Sequence, residues 1–181
     1  MNLISTPLQD CYVIEPQVFG DNRGYFYESF NEKKFNDAIK RNVSFVQDNQ
    51  SKSTYGILRG LHYQTTQTQG KLVRVVQGEV FDVAVDMRKN SKTFGHSYGL
   101  LLSEENRKMF WIPEGFAHGF LVTSPEAVFL YKTTDYYHPQ SEVSLLWNDQ
   151  QLNINWPKIN IPPLLKEKDA HGLLFNQCPY F

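Results

Sequence analysis

Five histidines are spread along the chain: His62, His96, His118, His138 and His171. A lone histidine in a strand is usually a structural hydrogen-bonder, but His62 keeps suggestive company. It lies in Leu58-Arg59-Gly60-Leu61-His62-Tyr63, where Gly60 leaves room beside it, and Lys71 opens the next apolar run. An unperturbed imidazole, with a pKa of about 6.5, is the natural base near neutral pH. Taking a proton from carbon also requires something to hold the negative charge that develops on a neighbouring oxygen. A lysine ammonium in a dry pocket supplies that. These two residue types point to proton abstraction beside a carbonyl.

A metal centre is the main rival. Histidine-bearing β-barrels of the cupin type commonly use a close His-x-His pair, a nearby carboxylate and a later His. The corresponding stretch here is His62-Tyr63-Gln64, so the pair is missing. His62 and His118 offer two nitrogen ligands, with no carboxylate obviously spaced to complete a site. We therefore expect no metal. Cys11 and Cys178 lie near opposite ends, with neither zinc-ligand spacing nor a disulfide framework, and read as free thiols in a reducing compartment. There is no GxSxG elbow, Walker A loop or GxGxxG, which argues against a serine hydrolase, a P-loop enzyme and a Rossmann dehydrogenase. His118, between Ala117 and Gly119, suggests the close approach of a ligand. Lys71 alone would ordinarily be solvent-facing. Tyr131, in Val128-Phe129-Leu130-Tyr131, reads on its own as core, and Asp169, in Lys166-Glu167-Lys168-Asp169, as part of a solvated charge run.

These side chains need a scaffold to position them. A chain of 181 residues with 41% hydrophobic and 14% aromatic content fits one packed domain, residues 1–181. The net charge is −1, from 18 basic and 19 acidic residues, which indicates no general attraction to nucleic acid or membrane. Met1 to Pro7 lacks the basic-then-apolar pattern of a signal peptide, and no apolar run approaches the ~20 residues of a membrane span. The expected location is the cytoplasm.

Short strands between turn signals predict an all-β sandwich or barrel. We expect strands at Tyr12–Glu15, Tyr25–Phe30, Val43–Gln50, Ile57–Tyr63, Lys71–Gln77, Val80–Asp86, Gly95–Leu102, Lys108–Ile112, Phe120–Thr123, Ala127–Thr134 and Val143–Trp147. Gly78-Glu79 reads as a hairpin turn joining two of them. One short helix, Glu32–Lys40, is predicted after Asn31 as its cap, with Phe35, Ala38 and Ile39 as its apolar stripe. The Pro-bearing tail from Trp156 should be mostly irregular and wrapped on the barrel. Phe26, Phe81, Val83, Val85, Leu100 and Phe120 read as core or barrel lining, and Trp111 and Trp147 as structural. Strict alternation would place Arg59 and His62 on opposite faces of one strand, so either Gly60 breaks the pleat or the two residues serve different sites.

Taken in order, the segments resemble the dTDP-4-dehydrorhamnose 3,5-epimerase family nearly end to end. The resemblance rests on Asp21-Asn22-Arg23-Gly24-Tyr25-Phe26-Tyr27-Glu28, Gln47-Asp48-Asn49-Gln50-Ser51, Leu58 to Gln64 and Gln69 to Val75. It continues through Gly78 to Asp86, Pro113-Glu114-Gly115-Phe116-Ala117-His118-Gly119-Phe120, Tyr131 to Tyr137, Trp147-Asn148-Asp149 and Lys168-Asp169. Any one block is weak, but so many in order are a strong signal.

The resemblance implies a cupin-like jelly roll with one or two short helices, working without metal or other cofactor and usually as a homodimer. It implies epimerisation at carbons 3 and 5 of dTDP-4-dehydro-6-deoxy-D-glucose to dTDP-4-dehydro-L-rhamnose, in dTDP-L-rhamnose biosynthesis. His62 matches the family's base, Asp169 its partner, Lys71 the group that stabilises the enolate oxygen and Tyr131 the acid on the opposite face. Arg23, Glu28, Gln47, Asn49, Arg59, His118, Glu142 and Lys168 match substrate-binding positions, with Arg23 and Glu28 implied to act in a neighbouring subunit's pocket. Three alternatives stay open at this point: an epimerase of carbon 3 or carbon 5 alone, a metal-dependent cupin, and a non-catalytic sugar-binding cupin.

Overall fold

A computed structural model describes residues 1–181. The chain begins with β1 (Asn2–Ser5), β2 (Tyr12–Glu15) and a ribbon of β3 (Val18–Asp21) and β4 (Gly24–Tyr27), followed by α1 (Glu32–Ile39). Then come β5 (Gln47–Thr54), β6 (Leu58–Gln64), β7 (Lys71–Gln77), β8 (Glu79–Asp86) and β9 (Ser97–Ser103). β10 (Met109–Ile112), β11 (Phe116–Val122), β12 (Glu126–Thr133) and β13 (Glu142–Ser144) precede a tail that contains α2 (Glu167–Ala170). A six-stranded antiparallel sheet runs β1-β2-β10-β7-β12-β5, and a five-stranded one runs β13-β6-β11-β8-β9. Together they form a jelly-roll sandwich, which agrees with the sandwich or barrel expected from the strand pattern and with the jelly roll implied by the resemblance.

The core follows from alternation. Val13, Val73, Val75, Phe110 and Phe129 of the first sheet meet Val80, Ala84, Leu102, Phe116 and Phe120 of the second. Each large side chain fully buried this way contributes roughly 1.5–3 kcal/mol. The opposite face of the second sheet, with Leu61, Tyr63, Val83 and Val85, is covered by tail residues that include Phe175 and Cys178. The tail therefore wraps the sandwich as predicted. α1 covers Ile14, Leu72, Met109 and Trp111 with Phe35 and Ile39. Its start is set by Asn31, whose side chain accepts from the Lys34 N–H at 3.0 Å, and it ends at Lys40 in the left-handed region (φ 55°).

Several expectations need correction. β7 and β8 are consecutive but do not pair: Gly78, at φ +73°, carries the chain from one sheet to the other. The predicted hairpin is a sheet-to-sheet corner. The strand expected over residues 43–50 runs instead over Gln47–Thr54, because Val43 is drawn under α1. Phe26 is 69% exposed, since the β3–β4 ribbon has no sheet beneath it. β1 and β3 were not anticipated, and the strand expected from Phe120 begins at Phe116.

The question of Arg59 and His62 is settled by a bulge. Phe120 lies opposite Arg59, and His118 opposite His62. Two steps along β11 thus match three along β6, which leaves one extra residue in β6. With a side-chain period of two, that extra residue brings Arg59 and His62 to the same face. Gly60 sits in the bulge at φ +113°. A Cβ there would lie 2.6 Å from the Gly119 Cα and 2.7 Å from the His118 carbonyl oxygen, so only glycine fits.

Candidate active site

The two sheets open at one end around a cavity of about 470 Å³. Its lining includes Asn49, Arg59, His62, Lys71, His118, Tyr131, Lys168 and Asp169. Eight of the twelve candidate residues therefore share one space. β6 and β11 bring Arg59, His62 and His118 from the five-stranded sheet, while β5, β7 and β12 bring Asn49, Lys71 and Tyr131 from the facing one.

Asp169 reaches the site because the tail is strapped to the start of β6 before it and to β13 after it. The Leu58 N–H donates to the Leu164 carbonyl at 2.9 Å, and the Leu164 N–H donates to Gly56 at 2.8 Å. Beyond α2, the Leu173 N–H donates to Ser144 at 2.8 Å. Between these anchors Asp169 is buried, with Oδ1 2.6 Å from His62 Nε2 and Oδ2 3.4 Å from the Gly60 N–H. Burial pushes its carboxyl pKa up, but the His62 ring, the Gly60 N–H and the Lys168 charge outweigh this and hold it below the usual range. An ionised carboxylate only accepts, so His62 Nε2 is the donor to Asp169, and Nδ1 is the ring nitrogen that this bond leaves unused.

Lys71 is buried and has no carboxylate within ion-pair distance; its ammonium donates to the His62 carbonyl at 3.4 Å. Burial lowers its pKa to about 8, against the opposing pull of Glu142 and Asp82. The ammonium is thus a cation held in a water-poor space. Burial raises the pKa of the Tyr131 phenol, with Glu142 adding to the rise, so the phenol keeps its proton. His118 Nε2 lies 2.9 Å from Asp82 Oδ2 in the interior. The arrangement provides a base, an opposing phenolic acid and a buried cation, which is the equipment for moving protons beside a carbonyl.

Four candidates stand outside this lining. Glu142 holds Lys168 Nζ at 2.6 Å and so orients a cation at the rim. Gln47 donates to Asn49 Oδ1 at 2.9 Å and accepts from the Tyr137 N–H at 3.1 Å. Arg23 lies on the exposed β3–β4 ribbon and pairs with its neighbour Asp21. Glu28 pairs with Lys34 at 2.8 Å beside a separate small cleft of about 130 Å³. This chain does not bring Arg23 or Glu28 to its own cavity.

Asp82 and Ser53 were not anticipated. Ser53 accepts from Arg59 Nε at 3.0 Å and aims the guanidinium. Asp82 had a legible signal: a carboxylate in phase with Val80 and Ala84 on an otherwise apolar inward face. No group of three or more His, Cys, Asp or Glu side chains is arranged to hold a metal ion. No helix is long and apolar enough to cross a membrane.

A sequence model of the family described as dTDP-4-dehydrorhamnose 3,5-epimerase matches residues 5–177. The chain is 57% identical over 182 residues to a dTDP-4-dehydrorhamnose 3,5-epimerase of Shigella flexneri, spanning 100% of this chain and 99% of the relative. It is 55% identical to one of Pseudomonas aeruginosa, over 96% of each. The crystal structure of dTDP-6-deoxy-D-glucose-3,5-epimerase RmlC from Legionella pneumophila, in complex with dTDP-4-keto-L-rhamnose, superposes with a TM-score of 0.95. That pair is 53% identical and the match covers 98% of this chain and 94% of the other.

Proposed function

The chain belongs to the dTDP-4-dehydrorhamnose 3,5-epimerase family, and from that premise we propose how its cavity inverts two carbons of a dTDP-linked 4-keto sugar. The activity is that of an isomerase in dTDP-L-rhamnose biosynthesis. The observation that carries the assignment of roles is the placement of His62 and Tyr131 on facing sheets, around one cavity that also holds Lys71.

A ketone at carbon 4 acidifies the protons on carbons 3 and 5. His62 Nδ1 takes one of them, and the C–H electron pair becomes the double bond of an enolate. The negative charge that appears on the carbon-4 oxygen is met by the Lys71 ammonium. Asp169 holds the His62 ring and offsets the imidazolium that forms. Tyr131 then gives its phenolic proton to the opposite face of the same carbon, which inverts the centre. Solvent exchange returns both groups to their starting states, and the second carbon follows the same course. Each positioned acid or base is typically worth ~10²–10⁴ in rate. No step requires a cofactor or metal.

Arg59 and Lys168 suit the pyrophosphate, to which a guanidinium and an ammonium bind well. Asn49 and His118 contact the nucleotide sugar, supported by Gln47 and Glu142, which hold Asn49 and Lys168. Arg23 and Glu28 complete the pocket of a second subunit in a homodimer, in keeping with their distance from this chain's own cavity and the exposed aromatic ribbon that carries Arg23. The same reading places the enzyme in the cytoplasm, with its two buried cysteines reduced.

Proton NMR of dTDP-4-keto-6-deoxyglucose with the enzyme in heavy water tests the reading. Loss of signal at carbons 3 and 5 supports it. Loss at a single carbon would make this a single-site epimerase, and no loss would leave a sugar-binding protein.

A further inference from the structure

We propose that Asp82, which does not line the cavity, is a positioning residue that fixes His118 as a hydrogen-bond acceptor for a hydroxyl of the bound sugar. The inference deepens the epimerase reading and rests on it for the identity of the ligand.

Asp82 is fully buried, and both its carboxylate oxygens have one partner, His118 Nε2, at 3.1 and 2.9 Å. It projects inward from β8 among Val80, Ala84 and Phe120, where an unpaired carboxylate would be very costly. The carboxylate can only accept, so the His118 proton must sit on Nε2. The ring is held further by Phe129, whose plane is 23° from it at 6.1 Å between centroids. His118 Nδ1 has no partner within the chain, and the residue lines the cavity as the cross-strand neighbour of His62.

Whether Nδ1 accepts or donates depends on the charge of the ring. Around His118 stand Lys71 from β7, His62 and Arg59 from β6, Tyr131 from β12, Asp169 from α2 and Asp82 from β8. A second buried cation next to Lys71 is disfavoured. Burial lowers the His118 pKa, Asp82 opposes this, and Lys71 and His62 add to the lowering. The ring is therefore neutral at neutral pH and presents a lone pair at Nδ1. A lone pair repels the enolate oxygen and attracts a hydroxyl hydrogen. The two histidine–carboxylate pairs of the cavity thus divide the work: His62–Asp169 faces a C–H bond, and His118–Asp82 reads an O–H. Lys71 remains the donor to the oxyanion.

The test is long-range proton–nitrogen NMR of the whole protein labelled with ¹⁵N-histidine, with His118 assigned through His118→Gln. In the ligand-free wild type at pH 7, His118 should be a single neutral tautomer protonated on Nε2. A ring protonated on Nδ1, whether neutral or cationic, would overturn the proposal, and this reading needs no variant at the site. Asp82→Ala removes the acceptor and should release the tautomer, with KM for the dTDP-sugar rising ~10-fold or more and kcat changing less. Asp82→Asn, which keeps an acceptor oxygen and the side-chain volume, should recover part of the loss. Unchanged tautomer and KM in Asp82→Ala would also overturn it. The tautomer is read without substrate, so its failure is separable from a failure of the epimerase reading, which isotope exchange reports.

Discussion

His62 and Tyr131 look into one cavity from opposite sheets, His62 from β6 and Tyr131 from β12. In the proposed mechanism, a sugar carbon held between them meets the base on one face and the acid on the other. Inversion then needs no rotation of the substrate and no movement of the protein between the two proton transfers. The sandwich supplies this geometry because its two sheets, rather than one strand or loop, form the walls.

Asp169→Ala should lower kcat about 10²–10⁴-fold with a small change in KM, because Asp169 bonds His62 and not the reacting carbon. Steady-state kinetics check this. A loss confined to KM would mean that Asp169 serves binding instead.

Lys71 links activity to pH and to stability with opposite signs. Its pKa in the folded chain is about 8, below the usual lysine value. The ammonium that holds the oxyanion is lost as pH rises, so kcat/KM should fall above pH ~8. In the same range the unfolded chain binds the proton more tightly than the folded one. Stability should therefore increase as pH climbs from about 8 towards the usual lysine pKa, and the burial penalty is fully present below 8. Lys71→Met removes that penalty, on the order of 3 kcal/mol at most, and should raise Tm at pH 7 while abolishing turnover. A lower Tm would contradict this account of the buried cation.

Gly60→Ala should cost roughly 2–4 kcal/mol and remove most activity, since the new methyl would strike Gly119 and the φ of +113° is strained for alanine. Denaturant unfolding measures the first effect. A variant of normal stability and activity would show that the bulge does not set the facing of Arg59 and His62.

Arg23→Ala should change stability by no more than about 0.5 kcal/mol, leaving Tm nearly unchanged, because its side chain is exposed and pairs only with Asp21. Its KM should rise if it completes a partner subunit's pocket. Mixing Arg23→Ala with His62→Ala should then restore activity in a fraction of mixed dimers, whereas no restoration would place each site within one chain.

Much of this was legible in the sequence because burial imposes a period. The two-residue alternation of Val80, Asp82 and Ala84 or of Val73 and Val75 marks strands and their inward face. Pairing partners carry no such local mark. Nothing around Gly78 distinguishes a hairpin from a corner between sheets, and β7 and β8 took the latter. Phe26 alternates like a core residue but belongs to a ribbon with nothing to pack against. His62 and Lys71 stood out by residue type, whereas Asp169 in its charge run became a site residue only through the straps that dock the tail at the start of β6 and on β13. Asp82 carries its mark in the same alternation, as a carboxylate in phase with Val80 and Ala84 on an otherwise apolar face.

The measurement that tests the central claim most directly follows deuterium incorporation and product stereochemistry for Tyr131→Phe in heavy water. With the base intact on one sheet and the acid gone from the other, the account predicts that the protons on carbons 3 and 5 still exchange but that the deuterium returns to the face it left, with little inverted product. Inversion at the wild-type rate would contradict the assignment of Tyr131 as the opposing acid and, with it, the facing-sheet mechanism.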